Sequence, residues 1–405
     1  MSEPIYSPVE VLKDVWWIST VSFGVSLAAT PVVRFIAYRA RIVDRPDDLL
    51  KPHGRPVAYL GGAAICAGLL AGLACYMTVM PRGREHLSEL GCDLAAGRVA
   101  AVMANPVWNL AAIALGGVAI TVVGLLDDVF QMRPRQKVLG QVIVAAILLV
   151  GGVGDHMAMI AFNLFHFIPP VWVLLPVSSL MCAALVIATC NATNLLDGLD
   201  GLCGGVTGII SLGFLALGVW LATYGNYPDS ESLRVGLVLA MVGAVFGFLP
   251  YNIPPASIFM GDAGSMLLGF FVATSMAMFC QESNPRWFLA AWAVFALPAL
   301  DTGLAVVRRL ASGKSIFAGD RSHLYDQLVD RGMTVRQVVG LFYLLATIAA
   351  VLGVVAAIYV RLRHAAVLYA ALLVVAFVLF HKLRMIAPAP RAPDKGRDRP
   401  GDQEE

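Results

Sequence analysis

Apolar residues in this chain come in long blocks separated by short polar breaks, and the length of the blocks decides what they build. Most hold roughly 18 to 25 predominantly apolar residues, enough to cross a hydrocarbon core of about 30 Å at the rise of an α-helix. The blocks fall at residues 15–38, 58–80, 107–126, 138–153, 171–190, 202–224, 233–250, 263–279, 287–307, 338–360 and 365–383. The pattern predicts an all-α fold, a polytopic membrane helical bundle of about eleven transmembrane helices. No solenoid period and no soluble domain between spans is visible, so residues 1–386 are expected to form one transmembrane domain with its chemistry in short loops. Residues 387–405 mix Pro with Asp, Glu, Arg and Lys and have nothing to bury, which predicts a solvated, disordered tail on the cytoplasmic side.

Composition agrees. Hydrophobic residues make up 59% of the 405 and charged ones only 14%, with a mean hydropathy of +0.76, so lipid is the expected solvent for most of the chain. A net charge of +2 suggests no nucleic-acid surface, but the distribution of Lys and Arg orients the bundle. Basic residues crowd the first break (Arg39, Arg41, Arg45, Lys51, Arg55), the third (Arg133, Arg135, Lys137), the ninth (among them Arg308, Arg309, Lys314 and Arg321) and the tail. The alternate breaks hold fewer, chiefly Arg82, Arg84, Arg98, Arg234, Arg286, Arg361 and Arg363. The N-terminus is therefore expected outside and the C-terminus in the cytoplasm. No basic leader or small-residue cleavage site precedes the first span, which is expected to stay in the mature protein. The seven cysteines form no CxxC pair and read as small packing residues.

This topology collects the segments Lys51-Pro-His-Gly-Arg-Pro, Leu126-Asp-Asp-Val, Asn191-Ala-Thr-Asn-Leu-Leu-Asp-Gly-Leu-Asp-Gly, Phe259-Met-Gly-Asp-Ala-Gly-Ser and Ala318-Gly-Asp-Arg-Ser-His on the cytoplasmic face. Each acid has an ordinary structural reading. Asp127 and Asp128 close a span and read as a solvated helix end, although a helix C-terminus disfavours anions. Asp197 and Asp200 lie in a Gly-rich stretch that reads as a turn; if it is helical they share one face. Asp262 opens an apolar helix and reads as an N-cap. Taken together, carboxylates clustered at membrane ends without local Lys or Arg call for a cation. A hard ion such as Mg²⁺ takes one or two carboxylates plus phosphate oxygens and waters, which suits a diphosphate substrate. Lys51, Lys137, Arg309 and Arg321 on the same face suit phosphate oxygens, and His53 and His323 are its histidines besides His381.

Two local matches fail. Gly313-Lys-Ser has Arg308 where a phosphate loop needs Gly, and Asn191-Ala-Thr is a glycosylation sequon on the wrong side of the membrane. Two other functions compete. An intramembrane aromatic prenyltransferase also uses acids and Mg²⁺, but Asp127-Asp-Val-Phe-Gln lacks the distal acids of its paired motifs. A transporter would carry acids near the membrane midplane, whereas these map to span ends, Asp301 within the ninth span excepted.

The motifs together resemble those of the polyprenyl-phosphate N-acetylhexosamine 1-phosphate transferases. The likeness rests on Asp44-Arg-Pro, Lys51-Pro-His and Tyr59-Leu-Gly-Gly, on Leu125-Leu-Asp-Asp with Lys137 and Gln141, on Asn194-Leu-Leu-Asp-Gly-Leu-Asp-Gly-Leu, and on Phe259-Met-Gly-Asp-Ala-Gly-Ser. The span count and outside N-terminus resemble the N-acetylglucosamine branch more than the muramoyl-pentapeptide branch. The resemblance implies an enzyme of the plasma (inner) membrane with its active site facing the cytoplasm. It would move N-acetylglucosamine 1-phosphate, or that of a modified N-acetylhexosamine, from a UDP-sugar to undecaprenyl phosphate, releasing UMP. This would be the first membrane step of a cell-envelope glycopolymer, such as cell wall or lipopolysaccharide.

Carried over by position, the resemblance makes Asp262 and Asp128 metal ligands for Mg²⁺, with Mn²⁺ as a substitute. Asp127, Asp128 and His323 are the catalytic set. Lys51, His53, Asn194, Asp197, Asp200 and Phe259 line the nucleotide site, and Lys137, Arg309 and Arg321 contact phosphates. A homodimer is left open. The family's last cytoplasmic loop often carries a His-x-His-His cluster, of which this chain keeps His323, followed by Leu324, Tyr325 and Asp326. That departure bears on the identity of the sugar.

Overall fold

The structure is a computed structural model describing residues 4–44, 56–80, 83–224, 228–280, 284–313, 315, 323–383 and 385. Helices α1 (Pro8–Lys13) and α2 (Trp16–Arg39) lead into a two-residue-strand hairpin, β1 (Val43–Asp44) and β2 (Val57–Ala58), paired antiparallel with Val43 opposite Ala58. Then come α3 (Gly61–Val79), the short α4 (Gly83–Ala95) and α5 (Val99–Ala104), α6 (Pro106–Phe130), α7 (Pro134–Val150), α8 (Met159–Leu164), α9 (Val171–Leu196) and α10 (Leu202–Tyr224). The second half holds α11 (Pro228–Asn252), α12 (Gly261–Cys280), α13 (Pro285–Val294), α14 (Ala296–Ala311), α15 (Leu324–Asp330), α16 (Val335–Tyr359) and α17 (Leu362–Lys382).

Each of the eleven predicted blocks falls on a helix or a helix pair, and the chain is an all-α, multi-pass membrane protein. Among the described residues, nine helical stretches are long and apolar enough to cross a bilayer, and counting one bent pair as a single span makes ten. The remaining block is α7, whose 17 residues make it shorter than the others. The bent pair is the predicted ninth span, broken by 73° between α13 and α14. Pro298 explains the break: it offers no N–H to the carbonyl of Val294, where α13 ends, and its ring would clash there. The sequence marks several helix starts by side-chain caps. Asn105 accepts the Val107 N–H at 2.9 Å ahead of Pro106, and Thr334 with Gln337 forms a capping box for α16.

The axis of the bundle is α12, whose apolar window is wholly buried, while α17 at the edge has only 6% of its window buried. Helices in lipid gain little from hiding apolar surface, so close approach has to come from small residues and hydrogen bonds. Ser22 of α2 donates to the carbonyls of Gly68 on α3 (2.8 Å) and Ala240 on α11 (2.6 Å), and Ser26 donates to Ala244 at 2.7 Å. At the end of the bundle that carries the acidic motifs the contacts become backbone on backbone. A Cβ at Gly62 would overlap the backbone of Ala263 and Gly264, and one at Gly124 would overlap that of Ala263. Both glycines are therefore required by proximity.

At the opposite end, Arg234 departs from its sequence reading as a loop charge. It lies inside α11 with no exposed surface, paired with Glu231 one turn earlier. It also donates to the Met278 carbonyl at 3.0 Å and lies over the Phe279 ring at 5.1 Å. A buried charge is tolerable here because its partner and the carbonyl replace water.

Substituting Gly124 with Val should force α6 away from α12 and lower the melting temperature of the detergent-solubilised protein by several degrees, from an overpacking cost of about 1–3 kcal/mol. Gly24, with nothing within 4 Å of its absent Cβ, is the control. Gly24→Ala should leave the melt unchanged or slightly higher.

Candidate active site

The site begins with the hairpin. Strand β2 bridges to Ile258, the Phe259 N–H donates to the Ala58 carbonyl, and the N–H groups of Gly61 and Gly62 donate to the carbonyls of Phe259 and Met260, each at 2.9 Å. These bonds fix residues 258–262 against the start of α3 and set Tyr59 edge-on to Phe259 with ring centroids 5.8 Å apart. Burial first, then the charges of Asp44, Asp128, Asp197 and Asp262, push the Tyr59 hydroxyl well above its usual range. Tyr59 thus lies within electrostatic reach of Asp44, Asp128, Asp197 and Asp262, a position its sequence did not announce beyond its place in Tyr59-Leu-Gly-Gly.

Asp262 is the second residue of α12, and the sequence reading of it as that helix's own cap does not hold. The cap comes from α6: Asp128 accepts the N–H groups of Asp262 (2.8 Å) and Ala263 (3.2 Å), one on each carboxylate oxygen. That frees the Asp262 side chain to face inward. Its Oδ1 accepts from Asn194 Nδ2 at 2.8 Å and its Oδ2 from Lys137 Nζ at 2.6 Å. Lys137 also pairs with Asp127 Oδ2, and the Met132 N–H donates to Asp127 Oδ1 at 2.7 Å. Every carboxylate oxygen of Asp127, Asp128 and Asp262 therefore has a donor, and one ammonium marks a point shared by Asp127 and Asp262.

Helix α9 runs beyond its predicted end to Leu196, carrying Asn191 and Asn194 on its last turns. Asn191 Nδ2 meets Gln141 Oε1 at 3.0 Å, and Asn194 Nδ2 also lies 3.0 Å from Ser265 Oγ. Asp197 and Asp200 do not share a helical face, because residues 197–201 form a turn between α9 and α10. Gly201 sits at φ +76 in that turn, as a glycine readily does. Asp200 Oδ2 accepts the Ala256 N–H at 2.8 Å, Asn252 accepts the Gly201 N–H at 3.1 Å, and the Tyr343 hydroxyl donates to the Gly201 carbonyl at 2.7 Å. Desolvation, followed by repulsion from Asp262, Asp128 and Asp200, raises the Asp197 carboxyl well above the carboxylate range.

The ninth break reaches the same turn from the far side. His323 is buried at the start of α15, its Nδ1 2.8 Å from Asp301 Oδ2, and its ring stacks on Tyr325 at 5.5 Å with planes 6° apart. The Tyr325 hydroxyl donates to the Leu195 carbonyl at 3.0 Å, and the ring fills the space a Cβ at Gly198 would need. Desolvation pushes the neighbouring Asp326 carboxyl up to about 6, against the pull of His323. Arg309 lies buried near the end of α14.

The structure thus gathers Asp127, Asp128, Lys137, Asn194 and Asp262 through direct contacts. It sets Asp197, Asp200 and Phe259 around them, and joins His323 to them through Tyr325. Lys51, His53 and Arg321 lie outside the described residues, as does the tail from 386. Asp301, which the sequence placed within the ninth span, is the partner of His323, and Tyr325 is a brace for the 197–201 turn; no local signal marked these long-range pairings.

The bundle thus orders carboxylates, a lysine and amides together at one end. The glycosyl transferase family 4 model matches residues 110–280. The chain is 32% identical to the decaprenyl-phosphate N-acetylglucosaminephosphotransferase of Mycobacterium leprae (strain TN), over 84% of this chain and 83% of that one. It is 31% identical to the protein of the same name from Mycobacterium tuberculosis (strain ATCC 25618 / H37Rv), over 91% and 88% of the two chains. It is also 27% identical to the undecaprenyl-phosphate alpha-N-acetylglucosaminyl 1-phosphate transferase of Escherichia coli (strain K12), over 80% and 78%. The chain belongs to glycosyl transferase family 4.

Because Asp128 caps a helix rather than standing free, Asp128→Ala should leave two N–H groups without an acceptor and destabilise the protein by about 0.5–2 kcal/mol, read as a lower melting temperature. Lys137→Met should not reproduce that loss at the α12 terminus. An unchanged melt for Asp128→Ala would remove the capping role.

Proposed function

We propose that this protein transfers N-acetylglucosamine 1-phosphate, or the 1-phosphate of a modified N-acetylhexosamine, from a UDP-sugar to undecaprenyl phosphate in the plasma membrane. The charge-based topology supports placing the motif end in the cytoplasm, where a nucleotide sugar is supplied. The observation that carries the reading is the Lys137 ammonium held between Asp127 and Asp262 where α6, α7 and α12 meet. A phosphoryl transfer needs positioning and charge stabilisation more than covalent chemistry, and this is a preorganised set of charges.

In the reaction an oxygen of the lipid phosphate attacks the sugar-bearing phosphorus of the donor. A new P–O bond forms, the bond from that phosphorus to the bridging oxygen breaks, and UMP leaves with the electron pair. A phosphate monoester has its second pKa near about 6, so the lipid nucleophile is largely dianionic at neutral pH and needs no general base. The carboxylates already engaged by donors favour this direct attack over an aspartyl intermediate. Asn194, Asp197, Asp200 and Phe259 position the nucleotide, with Lys51 and His53 added by resemblance. Lys137, Arg309, Arg321 and His323 meet the phosphates.

Among the described residues no three Asp, Glu, His or Cys side chains enclose an ion by themselves. Mg²⁺ does not require that, since phosphates and waters complete its shell around one or two carboxylates. The residues fit: Asp127 and Asp262 each direct an oxygen to one cationic group and would hold the ion, whereas Asp128, the ligand the resemblance implied beside Asp262, has both oxygens on N–H groups of α12 and would fix the helix end beneath. When bound, Mg²⁺ neutralises and orients diphosphate oxygens.

The test is a radiolabel transfer assay with purified protein in detergent, undecaprenyl phosphate, Mg²⁺ or Mn²⁺, and a panel of UDP-N-acetylhexosamines. Labelled lipid and UMP, abolished by EDTA, are the expected outcome; no labelled lipid from any donor, with the protein shown folded, would overturn the reading. Asp262→Asn should lower turnover at limiting Mg²⁺ by roughly 10²-fold or more, and wild-type turnover in that variant would remove its assignment. Without lipid acceptor, labelled UMP should not exchange into UDP-sugar; exchange would instead mark a covalent intermediate.

A further inference from the structure

We propose that Asp301 is a positioning residue for the transfer: it holds the His323 imidazole with the proton on Nδ1, leaving Nε2 to serve the substrate phosphates. The inference rests on the proposed reaction, and it concerns a residue that makes its contact from the broken ninth span. Asp301 is 1% exposed and His323 3% exposed, so water does not compete for their contact. Asp301 Oδ1 accepts the Leu324 N–H at 2.8 Å, while Oδ2 lies 2.8 Å from His323 Nδ1. A carboxylate accepting on both oxygens makes Nδ1 the donor, which fixes the tautomer.

The ring plane is fixed as well. His323 stacks on Tyr325, and Tyr325 is tied to the Leu195 carbonyl beside the 197–201 turn. Asp301 therefore anchors a chain of contacts that runs from α14, through the imidazole, to the helix bearing Asn194. The break before Pro298 allows this, because α14 can then leave the direction of α13 and bring Asp301 beneath the start of α15. The role is that of the carboxylate behind a working histidine: it touches no substrate and acts through the ring it orients.

The experiment combines a double-mutant cycle with histidine NMR on the full chain in detergent. Transfer rates are measured for wild type, Asp301→Asn, His323→Ala and the double variant. Asp301→Asn keeps an acceptor for the Leu324 N–H, and Asp301→Glu provides a second variant that restores the carboxylate. Asp301→Asn should lower kcat by roughly 10²-fold while leaving the donor KM within about twofold, and Asp301→Glu should recover part of the loss. The double variant should be no slower than His323→Ala, since Asp301 acts through that ring. With ¹⁵N-histidine at about pH 8, where an ordinary imidazole is neutral, His323 should carry its proton on Nδ1 in the wild type and lose that preference in Asp301→Asn. Losses that multiply in the double variant, or a wild-type proton on Nε2, would overturn the proposal. If the wild type transfers no sugar phosphate, the reaction is wrong, and the NMR comparison still decides whether Asp301 sets the ring.

Discussion

The capping of α12 by a carboxylate from α6 is the contact on which the site depends. A helix leaves its first N–H groups without partners, and at a membrane end buried among other helices water cannot serve all of them. Asp128 meets two of these groups, at the same level where Gly62 and Gly124 admit the α12 backbone to contact distance. A charged hydrogen bond of this kind contributes about 1.5–3 kcal/mol, enough to hold a helix end in register. Once that end is held, Asp262 has no need to cap its own helix, and its carboxylate turns toward Lys137 and Asn194.

The same cluster carries an imbalance. Asp127, Asp128 and Asp262 stand around a single Lys137, with Asp197 close enough to feel two of them. Several carboxyls thus share one ammonium, and a poorly hydrated site makes any excess negative charge expensive. Asp127 and Asp262, which meet at one cationic group, are the pair that would hold a divalent cation under the proposed function.

The bundle was legible because lipid leaves a chain few options: each block had to be helical, and each is, the ninth as a bent pair. Where the reading failed, the cause was a partner far along the chain or a local break within a block. The break in the ninth span follows from Pro298, and α9 continues past its apolar stretch because Asn191 and Asn194 find Gln141, Asp262 and Ser265 across helix contacts. Arg234 looked like a loop charge although Glu231 stood one turn before it, a spacing that could have suggested a buried pair. The cap on α12 lies 134 positions away in sequence, and the Asp301 contact to His323 crosses from a helix into the next one. The chemistry of the acids was visible in residue types, but their division into cap, cation partner and turn support was not.

That division also bears on what distinguishes this chain from its relatives' usual histidine cluster. Tyr325 stands at the next position of that cluster, yet its ring is buried and its hydroxyl is committed to the Leu195 carbonyl. It fits only because residue 198 is glycine, so the two positions constrain each other. A side chain used in this way supports the 197–201 turn and stacks on His323. In the first turn of the same short helix, desolvation pushes the Asp326 carboxyl up to about 6. His323 is therefore supported on two sides, by Tyr325 stacked on its ring and by Asp301 at its Nδ1.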